Sequence, residues 1–477
     1  MSRDNTRQMR QRPGPLLSWI PGQAPEQTLP ATLAWATVAV AVALLFVVVA
    51  PTFGFACGAL LVAAGLISWS QKRPELLLIG ALGAAGLGNL GRLAAVGGAE
   101  ITVYQGLFFA ALIIYAWMIV AGREHIRRTP ADLWLLLFLA AAFTAVPGAQ
   151  EVKPSFAAFI SLVSSVLLVF LVVGVATTAA RLRTAMIAFL GIAACLGALA
   201  FLEHYHLFAV QAYYYTYVDG FRSRGTFEDP NVFGGILAAA VAMGIPLAAT
   251  EKRLFRAVIL WGAIGAAAIG VAMTLSRGAM LGLFVGSLFA VIFAPMKWVV
   301  RVSLVLAGVA AVLMLVFVVL SPAWIAAKIT GIATNNSAQY RVFLADSAVR
   351  IFKAHPFGVG PGNFKEAITA YRNTRLPPGL LNSHTTYLTV LAEDGFMGLA
   401  GMIGALLVFL WVTMKTVLRA RQTQVRTLAA AALAGFAVLA VQSMTYSLEN
   451  SKFLWFLVGA GLAATALAHA TNTEEAP

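Results

Sequence analysis

RVSLVLAGVAAVLMLVFVVL, residues 301–320, is an apolar run of the length that an α-helix needs to cross a hydrocarbon core of ~30 Å. It is followed at once by a polar segment, residues 321–386, which reads SPAWIAAKITGIATNNSAQYRVFLADSAVRIFKAHPFGVGPGNFKEAITAYRNTRLPPGLLNSHTT. Apolar runs lie on both sides of this polar segment. Loops of this length without secondary structure are uncommon in compact domains, and those that occur commonly carry functional sites. The sequence therefore predicts a membrane protein with one large folded loop.

Composition places the whole chain in the membrane class. Apolar residues make up 60% of the 477 residues and charged residues 11%, whereas roughly a quarter of the residues in a soluble protein are charged. Spans in lipid must satisfy their own backbone hydrogen bonds, and the Ala and Gly residues of these runs allow close helix packing. We therefore predict an all-α polytopic membrane protein with about 12–14 transmembrane helices. The candidate spans are residues 31–50, 53–70, 75–96, 101–121, 132–147, 156–179, 184–202, 231–250, 257–275, 279–294, 301–320, 386–412, 427–448 and 452–470.

Basic residues indicate which side of the membrane each connection faces. They cluster in the N-terminal segment and in every second connection after it, as at Arg127 and Arg128 or at Arg181 and Arg183. The positive-inside rule places these connections and both termini in the cytoplasm. The polar segment and the loop 203–230 then lie on the opposite face. The net charge of +14 is spread over short clusters, so we predict no nucleic-acid partner.

This topology divides the chain into consecutive parts. The first 30 residues are polar and have no apolar core, so they are not a cleavable signal. The predicted parts are a cytoplasmic tail 1–30, a transmembrane bundle 31–320 that includes the loop 203–230, the external polar segment 321–386, the C-terminal transmembrane helices 387–470 and a cytoplasmic tail 471–477.

Two motifs place arginines where an anion could bind. FRSRGTFEDPN, residues 221–231, carries Arg222 and Arg224 and ends in the helix-start signal DPN. TLSRGAMLG, residues 274–282, carries Arg277 between two apolar runs. Arginines beside a helix N-terminus favour the binding of phosphate groups. The alternative is that these arginines contact lipid headgroups.

The polar segment contains a helical pattern followed by a glycine-rich turn. Arg341 stands at the start of the helical pattern. The turn GVGPGNF, residues 358–364, lacks the lysine and the preceding strand of a nucleotide-binding loop. We predict that it joins two amphipathic helices that lie on the membrane surface. The predicted apolar stripe of the first helix is Val342, Ala345, Val349 and Phe352.

His384 stands where the polar segment re-enters the membrane, in the sequence NSHTTYLTVLAEDGFMG. An imidazole titrates near neutral pH, so it is suited to take a proton from an acceptor hydroxyl. The alternative is a capping or interfacial histidine. Glu393 and Asp394 are predicted to lie within the following span, residues 386–412, where buried carboxylates are costly.

The sequence shows no strong metal or disulfide pattern. His204 and His206 have no convincing companion ligands, so we interpret them as interfacial residues. The two cysteines, Cys57 and Cys195, both lie in apolar runs, which argues against a disulfide framework.

Taken in order, SRGTFEDPN, SRGA, HPFGVGPGNF and NSHTTYLTVLAEDGFMG resemble the bacterial O-antigen ligase/polymerase superfamily over roughly residues 200–400. The resemblance implies a membrane glycosyltransferase fold of the C type with a long periplasmic loop that contains amphipathic helices. It implies a multi-pass protein of the bacterial inner membrane whose active site faces the periplasm. It also implies a donor glycan linked to undecaprenyl diphosphate. The implied acceptor is lipid A core for a ligase, a lipid-linked glycan for a polymerase, or a protein for an O-oligosaccharyltransferase.

The resemblance also assigns roles to the matching residues. Arg224 and Arg277, with Arg222 in the same loop, are expected to bind the donor diphosphate, and Arg341 is a further donor candidate. His384 is expected to act near the acceptor hydroxyl as a base or an orienting group. Because guanidinium groups can stabilise the charge of a leaving diphosphate, we predict neither a metal nor a cofactor. A flippase for lipid-linked oligosaccharides is the alternative from another class, although the sequence shows no evident internal repeat.

Overall fold

The computed structural model describes residues 73–96, 99–207, 222–298, 300–302, 337–371 and 384–474. The candidate spans 31–50 and 53–70, nearly all of 301–320 and the polar tail 1–30 lie outside the described residues. So do residues 208–221 of the loop 203–230 and residues 321–336 and 372–383 of the polar segment. The described helices are α1 (Glu75–Gly86), α2 (Val103–Val120), α3 (Asp132–Ala145), α4 (Val152–Val175), α5 (Ala179–His204), α6 (Pro230–Ala249), α7 (Leu254–Met273), α8 (Arg277–Phe293), α9 (Ser337–Ala354), α10 (Phe364–Ala367), α11 (Thr386–Glu393), α12 (Gly395–Arg419), α13 (Thr423–Gln442) and α14 (Lys452–Glu474).

Long apolar helices dominate this part of the chain. By length and composition, 8 of the described helices could cross a membrane: α2, α4, α5, α6, α7, α12, α13 and most of α14. Helices α1, α3 and α8 are apolar but shorter. The predicted class, an all-α polytopic membrane protein, is confirmed. The total number of spans stays a prediction, because several candidate spans lie outside the described residues.

The candidate span 75–96 is the first place where the structure differs from the prediction. Helix α1 ends at Gly86, and the chain then forms a short antiparallel hairpin of β1 (Arg92–Val96) and β2 (Ala99–Thr102). The sequence between Gly86 and Gly91 explains the break, because its glycines are poor helix formers and Gly88 takes a φ of 50°. The Asn89 amide donates to the Thr226 carbonyl at 2.8 Å, so this break contacts a loop that carries two of the candidate arginines.

Two later boundaries also differ. The candidate span 386–412 is divided, because α11 ends at Glu393 and α12 begins at Gly395, where φ is 70°. The candidate span 427–448 is shorter than predicted, because α13 ends at Gln442. Residues 443–451 therefore form a polar connection between α13 and α14, which we call the C-terminal loop. Prediction from apolar content missed this end, because Met444 and Leu448 interrupt the polar residues.

Small residues allow the helices to pack closely. Gly197 of α5 faces Gly270 of α7, and a methyl group on Gly197 would overlap the carbonyl oxygen of Ala266. In lipid there is little hydrophobic drive between helices, so close van der Waals contact of this kind is a main source of association. This packing sets the separation between α5 and α7, whose ends at His204 and Met273 flank the candidate arginine motifs.

Connections with predicted cytoplasmic charges meet at one end of the helices. The Arg181 guanidinium lies 2.9 Å from the Glu124 carboxylate and 3.8 Å from the Glu75 carboxylate. Arg183 pairs with Glu251 at 2.6 Å. The positive-inside rule assigns all of these connections to one side, and the structure brings them together. Which compartment this end faces stays a prediction.

The described part of the polar segment folds on its own small apolar core. Leu344, Ala348 and Ile351 of α9 are buried against Val359 of the glycine-rich turn and against α10 and α11. The predicted stripe is therefore wrong in position. Val342 is 71% exposed, because the face of α9 that meets α10 and α11 is centred on Leu344 and Ala348.

Candidate functional site

The loop of Arg222 and Arg224, residues 222–229, is fixed to the ends of two long helices; we call it the arginine loop. The amide of Ser223 donates to the Met273 carbonyl at 3.0 Å, and its hydroxyl donates to the Ala200 carbonyl at 2.8 Å. Ser223 is fully buried. A satisfied buried side chain of this kind is costly to displace, so the loop has a defined conformation.

Glu203 holds the backbone of Arg224 in place. Its buried carboxylate oxygen Oε2 accepts hydrogen bonds from the amides of Arg224 at 3.2 Å and of Gly225 at 2.8 Å. The Arg224 side chain is half-buried. In the sequence, Glu203 directly precedes the histidines that we interpret as interfacial residues, and the structure shows that it anchors the arginine loop.

Arg222 bonds to the protein itself. Its Nε donates to the Thr274 carbonyl at 2.9 Å, and its Nη2 donates to Oδ1 of Asn231 at 2.8 Å. The side chain therefore braces the arginine loop against the connection between α7 and α8. Its predicted contact with a donor diphosphate stays a prediction.

Arg277 is the first residue of α8 and is exposed. The preceding Ser276 caps the helix, since its hydroxyl accepts the Ala279 amide at 3.3 Å and donates to Oδ1 of Asn231 at 2.9 Å. A helix N-terminus carries roughly half a positive charge. The guanidinium of Arg277 adds a full charge at the same place, so this end of α8 suits a phosphate group.

Strained backbone occurs on both sides of the site. Leu275 has a φ of 49° and His384 a φ of 54°, a conformation that costs an L residue other than Asn or Asp roughly 1–2 kcal/mol. Such strain tends to cluster at functional sites, where the surrounding structure maintains it. At Leu275 it ends α7 and lets α8 begin two residues later, which places Arg277 at the tip of the turn.

His384 immediately precedes the cap of α11. The hydroxyl of Thr385 accepts the Leu388 amide at 3.1 Å and so caps that helix. The imidazole of His384 meets the ring of Tyr446 edge to face, with ring centroids 5.8 Å apart and planes inclined by 72°. An aromatic pair prefers this geometry, so Tyr446 fixes one side of the imidazole.

The C-terminal loop, residues 443–451, also holds the backbone beside His384. The Thr386 amide donates to the Ser443 carbonyl at 2.9 Å. The Thr386 hydroxyl donates to the Tyr446 carbonyl at 2.9 Å and accepts the Leu448 amide at 2.8 Å. These three bonds attach the start of α11 to the C-terminal loop.

The same region contacts the arginine side of the site. Gln442, at the end of α13, donates from Nε2 to the Asn231 carbonyl at 2.9 Å. Asp229 caps α6 by accepting the Asn231 amide at 2.6 Å. His384 and the arginine loop are therefore joined through the C-terminal loop, Gln442 and Asn231, which also accepts from Arg222.

Asn231 is the centre of these contacts. Its side-chain oxygen accepts from Arg222 and from Ser276, and its carbonyl accepts from Gln442. In the sequence, Asn231 is recognisable only as part of a helix-start signal, and no motif singles out Gln442 or Tyr446. The available signal was the polar composition of residues 442–451, QSMTYSLENS, between two apolar runs on the predicted external side.

Arg341 is not brought into this arrangement by the described residues. It lies in the first turns of α9, and its side chain lies outside the described part of the chain. Its role as a donor contact stays a prediction.

The glycine-rich turn of the polar segment is bonded to α11. The Glu393 carboxylate accepts the amides of Gly362 at 2.7 Å and Phe364 at 3.0 Å, and its carbonyl accepts the Gly360 amide at 2.9 Å. Gly360 has a φ of 91°, which an L side chain rarely adopts. The sequence placed Glu393 inside a membrane span, whereas the structure places it before α12, under the turn. Burial, and then the charge of Glu449, raise the pKa of Glu393 to about 8.

We expect Glu393 to make the stability of the protein depend on pH. An acid whose pKa is higher in the folded protein than in the unfolded chain binds its proton more tightly when folded. Its contribution therefore favours folding below its ordinary pKa and is lost as the pH rises through about 8. The melting temperature of the purified protein in detergent should therefore fall as the pH rises from about 5 to about 8, and it should change little from this cause above that. Glu393→Gln should make this fall smaller.

The comparison variant for this measurement is Glu151→Gln. Glu151 is exposed, and its backbone amide donates to Oδ1 of Asn363 in the turn at 3.1 Å. It should keep the pH dependence of the wild type. An equally steep fall in the Glu393→Gln protein would contradict the assignment of this dependence to Glu393.

No group of three or more His, Cys, Asp or Glu side chains within the described residues is placed to hold a metal ion. The function of the site without a metal stays a prediction, which rests on the arginine charges.

Comparison with known protein families agrees with the motifs. Residues 261–403 match the family model described as O-antigen ligase. The matched residues include Arg277, Arg341 and His384, whereas the arginine loop and the C-terminal loop lie outside them. The chain matches none of the curated proteins. The resemblance to the O-antigen ligase/polymerase superfamily is confirmed, and the match supports glycan transfer of the O-antigen ligase type by a multi-pass membrane protein.

Proposed function

We propose that the chain transfers a glycan from undecaprenyl diphosphate to an acceptor hydroxyl, on the periplasmic face of the bacterial inner membrane. The observation that most supports this proposal is the joining of His384 to the arginine loop through the C-terminal loop and Gln442, which bonds to Asn231 beside Arg222. A group suited to take a proton and groups suited to bind a diphosphate are thereby held at one end of the helices. Group transfer between two bound substrates requires this arrangement.

In this proposal, Arg224 and Arg277 bind the donor diphosphate. The guanidinium of an arginine can hold two phosphate oxygens at once. The N-terminus of α8 adds its partial positive charge beside Arg277. Negative charge grows on the diphosphate as the bond to the glycan breaks, and fixed positive charges that stabilise it lower the barrier. Guanidinium groups thus supply the charge that a metal ion supplies in other transferases.

His384 acts on the acceptor. The acceptor hydroxyl gives its proton to the imidazole as its oxygen bonds to the anomeric carbon. The bond from that carbon to the phosphate oxygen breaks, and undecaprenyl diphosphate leaves with the electron pair. By resemblance to the superfamily, this is a single displacement with inversion at the anomeric carbon.

The acceptor is proposed to be lipid A core, as in a ligase, or a lipid-linked glycan, as in a polymerase. Transfer to a protein, as by an O-oligosaccharyltransferase, is the alternative within the same reaction class. A flippase for lipid-linked oligosaccharides is the alternative in another class. A flippase moves its substrate and breaks no glycosidic bond, so the products distinguish the two classes.

Turnover by the purified protein tests the proposal. We expect detergent-solubilised protein, supplied with undecaprenyl diphosphate-linked glycan and an acceptor, to release one undecaprenyl diphosphate per glycosidic bond formed. The reaction should proceed without ATP and should continue in the presence of EDTA. Mass spectrometry of the lipid and the glycan products measures both outcomes.

Two other results would contradict parts of the proposal. Movement of an intact lipid-linked glycan across proteoliposomes, with no glycosidic bond formed, would identify a flippase. Turnover that EDTA stops and a divalent cation restores would show that the arginines do not suffice. Deletion of the gene identifies the acceptor, because surface glycan would become unattached, shortened to one repeat or lost from proteins.

A further inference from the structure

We propose that Gln442 is a positioning residue, which holds the arginine loop and the start of α8 at a fixed distance from the C-terminal loop beside His384. Gln442 is the last residue of α13, and its side chain is fully buried. This inference rests on the proposed glycan transfer and deepens it. It assigns a role to a residue that lies outside the family match at residues 261–403.

The first contact of the Gln442 side chain is with the start of α6. Its Nε2 donates to the Asn231 carbonyl at 2.9 Å. One turn later, Gly235 leaves room for the rest of the side chain, since a methyl group on Gly235 would come within 3.1 Å of Cδ and 3.2 Å of Cγ of Gln442. The side chain of Asn231 accepts from Arg222. Gln442 therefore acts on the arginine loop through one intervening residue.

The same side chain lies against the first turn of α8. A methyl group on Gly278 would come within 3.4 Å of Oε1 of Gln442 and within 3.1 Å of Oγ1 of Thr445. Gly278 directly follows Arg277, which is the first residue of α8. The amide of Gln442 thus lies between the starts of α6 and α8, which are the two helices that follow the candidate arginine motifs.

The main chain of Gln442 leads to the other side of the site. The next residue, Ser443, accepts the Thr386 amide at 2.9 Å through its carbonyl, and Thr386 lies two positions after His384. A displacement of about 1 Å between the groups that act on the two substrates can cost roughly 100-fold in rate. A residue that contacts the arginine side and is bonded to the His384 side is placed to control their separation.

Packing alone does not explain a glutamine at this position. Oε1 of Gln442 is buried and has no hydrogen-bond partner among the described residues. A buried acceptor without a partner costs free energy, whereas an apolar side chain of the same length has no such cost. A cost of this kind is expected where a residue serves function at the expense of stability. The bond from Nε2 to the Asn231 carbonyl is therefore the contact that we test.

Gln442→Met separates this bond from the packing of the side chain. Methionine has a similar length and keeps the contact with Gly235, but it cannot donate to the Asn231 carbonyl. We expect kcat to fall about tenfold. The KM for the donor should stay within about twofold, because Ser223 and Glu203 still fix the arginine loop. The melting temperature should not fall, since the unpartnered Oε1 is removed as well.

Gln424→Met is the matched control. Gln424 is exposed and lies at the opposite end of the same helix, α13. It should leave kcat unchanged. A second readout does not depend on turnover: the hydrogen exchange of the backbone amides of residues 222–235, followed by mass spectrometry. We expect faster exchange there in the Gln442→Met protein, because local opening of the start of α6 becomes easier, and no change in the Gln424→Met protein.

The outcomes separate this inference from the function on which it rests. If the wild type forms glycosidic bonds and the Gln442→Met protein matches its kcat, the positioning role is wrong and glycan transfer stands. A lower kcat together with a lower melting temperature would show a structural role instead. If the wild type forms no bond with any acceptor class, glycan transfer is wrong. The exchange at residues 222–235 then decides about Gln442 alone, since an unchanged rate in Gln442→Met would show that its amide does not hold the start of α6.

Discussion

Replacement of His384 by alanine should lower kcat for glycan transfer by a factor of about 100 to 10,000, the usual contribution of a general base. The loss should appear in kcat, because the imidazole acts on the proton that moves in the transition state. The KM for the donor should change little, since the arginine loop is fixed by Ser223 and Glu203 rather than by His384. Initial rates at varied donor and acceptor concentrations measure both constants.

His355→Ala is the comparison for this experiment. His355 lies at the end of α9 in the same polar segment, and its side chain is exposed. It should retain wild-type rates. If the His384→Ala protein also kept more than about half of the wild-type kcat while folded, His384 would be an interfacial or capping residue, which is the alternative that the sequence left open.

The second large effect is expected at Arg277. Arg277→Ala should lower kcat by about 100- to 1,000-fold, the loss seen when one group that stabilises developing charge is removed. Arg277→Lys should recover only part of the activity, since a lysine ammonium cannot hold two phosphate oxygens in the planar geometry of a guanidinium. Turnover measured with saturating donor separates this loss from weaker binding.

Arg350→Ala is the control for charge. Arg350 is an exposed arginine of α9 in the polar segment, and it pairs with Asp346 at 2.7 Å. Exposed pairs of this kind contribute little to stability, so the variant should fold and turn over normally. Equal losses at Arg350 and Arg277 would point to a general effect of surface charge on anionic lipids, and the assignment of Arg277 to the donor would fail.

Much of the membrane architecture could be read from the sequence. Apolar runs and the alternation of basic connections predicted helices such as α6 and α7 to within a few residues, because lipid demands long apolar spans and the charges mark their ends. The hairpin after α1 was not predicted. Its strands lie in a run whose composition suits a span, and only the glycines at 88 and 91 signalled a break.

Single residues of the site could be predicted, but their connections could not. Arg224, Arg277 and His384 stand in recognisable motifs. The sequence did not predict that several hydrogen bonds converge on Asn231, because its partners Arg222, Ser276 and Gln442 come together only in the folded chain. Tyr446 was missed because the predicted span ran through it. One sequence carries no information about such distant pairs beyond composition and charge.

The position of the C-terminal loop affects how the site is completed during synthesis. The arginine loop and the C-terminal loop are more than 200 positions apart in the chain. A nascent chain inserted only as far as α12 already contains the arginines, yet it lacks Gln442 and Tyr446, which fix the start of α6 and the imidazole. Since domains of a growing chain fold as their residues emerge, reactivity toward the donor should arise only once α13 and α14 have entered the bilayer. An unfinished chain could hold anionic lipid without consuming it.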